Sequence, residues 1–167
     1  MKRLWLLVLF LVNIVDLNAQ DIYVDGKIAQ GKTAAYRCKL SGTFFLEVRN
    51  VTNTDICTEG FGGIAGPNEE ALQEVLRQLL TEEEWRSIKG KNGFGLTFNL
   101  IVDNRGDLQN MVFMFRKDDP VFAKLDPDRL YQVEQKFKES LKQILSKSEK
   151  PVKSMIYIQG INYKNFK

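Results

Sequence analysis

The chain contains no histidine. Histidine is the commonest general base and the usual partner of a serine or cysteine nucleophile. Its absence removes Ser-His-Asp, Cys-His and His-zinc mechanisms together. Cysteine is nearly as scarce, with Cys38 and Cys57 only, and two thiols without histidine fall short of the four ligands a structural zinc takes. The two do not form a C-x-x-C redox motif either. In an oxidising compartment they predict a structural Cys38–Cys57 disulfide, worth about 3 kcal/mol on the chain-entropy argument; two buried thiols and a redox pair are the alternatives. Nothing in this composition implies a cofactor. Proline occurs four times and first at Pro67, so no proline-rich spacer precedes the middle of the chain. The basic residues are interspersed with acids and form no stripe or arm, which argues against nucleic acid as a partner.

Long apolar runs are also missing, apart from Leu4–Val12 at the start. Lys2 and Arg3 precede that run, and Leu17-Asn18-Ala19 ends on a small residue. These are the three parts of an export signal, with cleavage predicted between Ala19 and Gln20. A membrane span needs about 20 apolar residues, and here Asn13 and Asp16 interrupt the run. The expectation is an exported protein, periplasmic or secreted, with residues 1–19 removed, no stable membrane anchor, and one α+β domain over 20–167.

Within that domain, residues 20–59 read as β-rich. Asp25-Gly26 predicts a hairpin between Ile22–Val24 and Lys27–Ala29. Thr33–Leu40 and Thr43–Arg49 follow as strands, turning at Ser41-Gly42. Asn50-Val51-Thr52 is a glycosylation sequon, meaningful in a eukaryotic host. Residues 60–66, GFGGIAG, approximate a phosphate-binding turn but lack the buried strand that such a turn follows, so they read as a connector. Residues 68–89 hold two helices. Asn68 caps the first, whose inner face is Ala71, Leu72, Val75, Leu76 and Leu79. Thr81 and Glu84 form a capping box for the second, and Lys89-Gly90 closes it. The triple glutamate at 82–84 splays by about 100° per residue, so it marks a helix start rather than a converging acid cluster.

Residues 94–163 read as a β-β-α-β unit. Phe94, Leu96, Phe98, Leu100 and Val102 alternate strictly, and Met111, Phe113 and Phe115 continue the pattern after a turn. That turn, VDNRGDL, contains Arg105-Gly106-Asp107, a tripeptide that integrins recognise, and two carboxylates, Asp103 and Asp107. The flanking strands make it a hairpin tip with the carboxylates bonded to turn amides, and its spacing fails the calcium-loop pattern. KDDPVFAKLDPD reads as a connector with two prolines, at the end of which Asp126 with Pro127 starts a long helix to about Ser146. Its predicted inner stripe is Leu130, Val133, Phe137, Leu141, Ile144 and Leu145. Glu134, Lys136, Lys138, Glu139 and Lys142 are assigned to a solvated outer face.

The pieces FNLIVDNRGDLQNMVFMF, KLDPDRLYQVEQKFKESLKQIL and VKSMIYIQGINYK resemble the C-terminal domain of TonB-type energy transducers, over just under half of the chain. The chain departs from that family in lacking an uncleaved inner-membrane anchor and a proline-rich spacer. In overall style it is similar to small exported proteins of unknown function from Bacteroidetes, whose signals often end in NAQ. The TonB-like resemblance implies an antiparallel sheet carrying two or three helices, and an exposed sheet edge that pairs with a partner's extended segment. The expected function is therefore a non-enzymatic cell-envelope interaction module whose partner is an envelope protein or peptide segment. The candidate edge is 153–163, with Lys153, Met155, Tyr157, Gln159 and Ile161 as its residues. The alternatives are a lipid-like ligand carrier lined by phenylalanines and a hydrolase using Asp103 and Asp107. Neither a metal site nor catalytic residues are predicted.

Overall fold

The computed structural model describes residues 21–53, 69–103, 105, 107–145 and 155–166. In chain order the elements are β1 (Ile28–Gln30), β2 (Ala35–Ser41), β3 (Phe45–Asn50), α1 (Glu69–Leu79), α2 (Glu82–Ile88), β4 (Gly95–Val102), β5 (Leu108–Arg116), α3 (Pro127–Leu145) and β6 (Met155–Asn162), followed by a 3-10 turn at Tyr163–Asn165. The strands form a six-stranded antiparallel sheet in the order β1-β2-β3-β5-β4-β6. The fold is α+β.

Alternation along the strands decides which face carries the core. Cys38, Val48, Phe113 and Phe98 lie in consecutive register across four strands, and all four are buried. α3 lies over this face through Leu130, Val133 and Phe137, and the Phe137 ring sits 4.6 Å from that of Phe98. α1 packs beside it against α3 and β6, through Leu72, Val75 and Leu76. The second face carries Arg37, Lys39, Glu47, Thr97, Asn99 and Ile158, with Ile101 and Val112 buried near its middle. A bulge between Ile101 and Val102 shifts the β4–β5 register, and both residues are buried beside it.

Local chemistry sets the element ends. Asp126 Oδ1 accepts from the amides of Asp128 and Arg129 at 3.0 Å each, which starts α3. At α2 the capping box is complete, with Glu84 N–H donating to Thr81 Oγ1 and Thr81 N–H to Glu84 Oε2. Asp128 then reaches back to the N-terminal segment and accepts from the amides of Lys32, Thr33 and Ala34 at 2.9, 2.7 and 3.2 Å. Gly31 is required at that contact, because a Cβ there would lie 2.5 Å from Asp128 Oδ1.

Three sequence expectations need correction. Ile22–Val24 is not a strand: Gly26 does turn, with φ +71°, but Tyr23 plunges into the core and donates to the Leu125 carbonyl at 2.9 Å. Side-chain anchoring replaces ladder pairing there. The stretch 117–126 is more than a connector, since Val121, Phe122 and Leu125 are buried and Phe122 packs on Phe113 and Phe115. Glu134 is not on a solvated face. It is fully buried beneath α3, because it lies four residues after Leu130 and three before Phe137, inside the apolar arc of the helix.

Candidate functional site

β6 is the terminal strand of the sheet, and β4 is its one strand neighbour among the described residues. Which backbone groups it presents follows from two bonds at its C-terminal end. The Tyr163 amide donates to the Phe94 carbonyl at 3.3 Å, towards the β4 side. The Asn162 amide turns the other way and donates to Glu69 Oε1 at 3.0 Å. In an antiparallel strand the N–H and C=O of one residue point to the same side and alternate along the chain. Met155, Tyr157, Gln159 and Ile161 therefore direct their backbone groups into the ladder with β4, and the Ile161 side chain is buried. Ile156, Ile158 and Gly160 turn theirs outward. Sequence reasoning chose the strand but named the inward set, because its alternation alone does not show which neighbour lies on which side. Lys153 lies outside the described residues.

The outward edge from Ile156 to Gly160 carries no charge and no proline, the usual devices against unwanted pairing. Ile158 is 57% exposed. Glu69, the first residue of α1, closes the edge at one end: its Oε1 also accepts from Asn165 Nδ2 at 3.0 Å. The Asn162 amide beside it holds the Glu69 carboxyl below the usual carboxylate range, against the effect of its slight burial.

Two buried polar clusters lie in the core. Glu134 Oε2 accepts from the Tyr36 hydroxyl at 2.5 Å and from Asn50 Nδ2 at 3.4 Å, and Lys138 Nζ sits 2.7 Å from Oε1. Burial first, and then the Glu134 charge, push the Tyr36 hydroxyl far above the ordinary tyrosine value. Asn50 is buried, and its Oδ1 accepts from both Thr52 N–H and Thr52 Oγ1, so the sequon is occupied by the fold and leaves no room for a glycan. The second cluster is Asp119 with Tyr163. Asp119 Oδ1 accepts from the amides of Val121 and Phe122, while Oδ2 and the Tyr163 hydroxyl face each other in the core without another partner. Burial raises the Asp119 carboxyl, although the amides and Tyr163 oppose the shift; burial and then the Asp119 charge raise Tyr163.

Cys38 is a buried free thiol in the structure, with Sγ 3.7 Å from the Tyr36 carbonyl, and burial pushes the thiol up; its expected disulfide partner Cys57 lies outside the described residues. Cys38 sits at the centre of β2 with its side chain turned into the core, where the sheet and helix layers enclose it. Asn68, the GFGGIAG segment, Ala19 and Gln20 also lie outside the described residues. Asp103 Oδ1 accepts from the amides of Arg105 and Asp107 at 2.9 and 3.0 Å, and Oδ2 from Gln109 Nε2 at 2.7 Å. Slight burial works against ionisation, but those amides and the Arg105 guanidinium outweigh it and lower the Asp103 carboxyl. Its lone pairs are committed to the turn.

Among the described residues no group of three or more Cys, Asp or Glu is arranged to hold a metal, and no helix is long and apolar enough to cross a membrane. Open depressions lie on the surface of the described residues. One of about 350 Å³ lies between Asp107–Gln109 and Gln135, Lys138 and Glu139; another of about 540 Å³ is lined by Asp21, Ile22, Lys117–Asp119, Ala123 and Lys124.

The fold is similar to that of a solved structure, a DUF5043 family protein from Bacteroides uniformis, with a TM-score of 0.60 at 15% sequence identity. The likeness covers 84% of this chain and 85% of that one. It shows a shared fold. No family model and no curated protein matches the sequence.

Proposed function

We propose that the chain is an exported cell-envelope interaction module that binds an extended segment of a protein partner along β6, adding a strand to the sheet. The observation that carries the reading is the outward backbone edge at Ile156, Ile158 and Gly160, uncharged, free of proline and ended by Glu69. Main-chain hydrogen bonds supply affinity in such pairing, and side chains on alternate positions supply selectivity. Ile158 supplies an apolar contact on the second face. The TonB-like resemblance of residues 94–163 and the leader-like residues 1–19 agree with this placement in the envelope. The module acts without catalysis: Asp103, its most obvious acid, serves the turn that holds it. The phenylalanines that a lipid carrier would need as a lining are packed against one another at Phe98, Phe113, Phe115, Phe122 and Phe137.

Site-specific photocrosslinking tests the reading. A benzophenone amino acid at Ile158 is expected to capture one recurrent envelope protein, and the same probe at exposed Val51 to capture none. Equal capture at both positions, or capture by the same probe at Ile156 that survives Ile158→Pro in a folded variant, would overturn it.

A further inference from the structure

Six large apolar side chains are strongly exposed among the described residues, and three of them, Leu40, Phe44 and Phe45 at 37, 51 and 42%, share one hairpin tip. This tip is the β2–β3 turn. Register places it at the same end of the sheet as three other turns: Phe45 pairs with Arg116 at the end of β5, and Gly95 at the start of β4 pairs with Asn162 at the end of β6. The Lys117 amide donates to the Phe44 carbonyl, and the Gly90 amide to the Tyr163 carbonyl, both at 2.9 Å, which ties the turns into one surface.

The sequence scatters its charge, but the fold gathers cations here. Lys89, Lys91, Lys117 and Lys164 are exposed in these turns, and Arg116 is half-buried between them; Lys39, nearby on β2, lies opposite Glu47. Arg116 lies 5.5 Å from the Phe44 ring and 4.9 Å from the Phe94 ring, so it braces the tip aromatic from beneath. Five carboxylates reach these turns: Asp118 pairs with Arg116, Asp25 accepts from the Leu40 amide, Glu69 accepts from the Asn162 amide, Asp21 lines the depression beside Lys117 and Lys124, and Asp119 is buried. Lys89, Lys91, Lys117 and Lys164 make no ion pair among the described residues, so unpaired cations surround a protruding apolar tip in a chain whose overall charge is only +3.

We propose that this end of the sheet docks on an anionic lipid surface, with Phe44, Phe45 and Leu40 entering the headgroup boundary and the surrounding lysines facing the lipid phosphates. A protruding tip has no groove for a peptide, whereas a bilayer yields around it. Aromatic side chains prefer the membrane interface, and each lysine near an anionic surface adds attraction. The contact is peripheral and reversible, since three apolar side chains lack the area of an inserted helix. The inference stands apart from strand pairing at β6 and survives if that reading fails.

The test uses the full chain carrying Phe44→Trp, with the same chain lacking that substitution as the background for Trp5 and Trp85. Vesicles are made of phosphatidylcholine, alone or with phosphatidylglycerol, and carry brominated acyl chains. The expected result is a blue-shifted, bromine-quenched emission difference on the anionic vesicles alone, reversed by salt. Adding Lys91→Glu and Lys117→Glu should weaken partition by at least about tenfold, from roughly fivefold per lysine removed. An unchanged emission difference on anionic vesicles would overturn the proposal. So would quenching that is equal on neutral vesicles and indifferent to the lysine substitutions, since it would then arise from apolar contact alone. Preference for a short DNA duplex over the anionic vesicles would assign the cations to another polyanion and equally end the lipid reading.

Discussion

Glu134 joins three elements through one carboxylate: Tyr36 on β2, Asn50 on β3 and Lys138 one turn further along α3. Truncating one member of a buried charged cluster strands the others, which typically costs about 3–5 kcal/mol. Glu134→Ala should lower stability by that amount in urea unfolding, while Glu134→Leu, which fills the space, should cost less than Glu134→Ala. Asp119 makes a different prediction, one of pH. Its folded carboxyl is raised above the unfolded value of 3.8, with burial as the first cause, so the folded state holds its proton more tightly. The stability this contributes is complete below the unfolded value and is lost as pH rises through the folded one. Asp119→Asn keeps an acceptor for the Val121 and Phe122 amides and cannot ionise. Urea midpoints measured from pH 3.5 to 8 should therefore fall with rising pH less in the variant than in the parent; parallel curves would show that Asp119 does not titrate in this window.

At the level of elements, β6 gives the sharpest contrast between neighbours. Proline at position 158 removes an amide that points away from β4, whereas proline at 157 removes one that bonds to it. Ile158→Pro is expected to retain cooperative unfolding with a small loss, and Tyr157→Pro to lose the β4–β6 ladder and several times more stability. Similar losses at both positions would refute the assigned alternation. α2 is short and owes its start to the capping box, so Thr81→Ala should cost about 1 kcal/mol. The capping box, the α3 start at Asp126 and the β4–β5 hairpin were legible in the sequence, because each is specified by residues close together in the chain. What was not legible depends on partners far away. Tyr23 abandons a strand for a carbonyl on the β5–α3 connector, and Glu134 passes for a surface charge until Tyr36 and Asn50 are brought beneath it. Counting from Leu130 and Phe137 would have placed Glu134 inward from spacing alone. The outward amides of β6 had no such signal, since they depend on which side β4 takes.

Across the whole molecule, one sheet unites the N-terminal strands with the β-β-α-β unit, and this limits what can be removed. β5 is an internal strand that pairs with β3 on one side and β4 on the other. α3 covers β2 as well as β5, and is fastened to the N-terminal segment by Asp128 on the 32–34 amides and by Glu134 on Tyr36. No described disulfide supports these contacts, since Cys38 is a buried thiol. Reductant should accordingly leave the thermal midpoint of the full chain unchanged. A fragment from residue 69 onward would expose the β3-facing edge of β5, uncover the α3 surface that rests on β2, and leave Glu134 without Tyr36 and Asn50. An unpaired charge in an opened core and a long new strand edge both favour aggregation over folding. Such a fragment, although it contains the entire β-β-α-β unit and both preceding helices, should show no cooperative thermal transition by circular dichroism. If it melts cooperatively near the midpoint of the full chain, the N-terminal strands are an accessory to an autonomous unit, and Glu134 and Asp128 do not fasten the two halves of the sheet energetically.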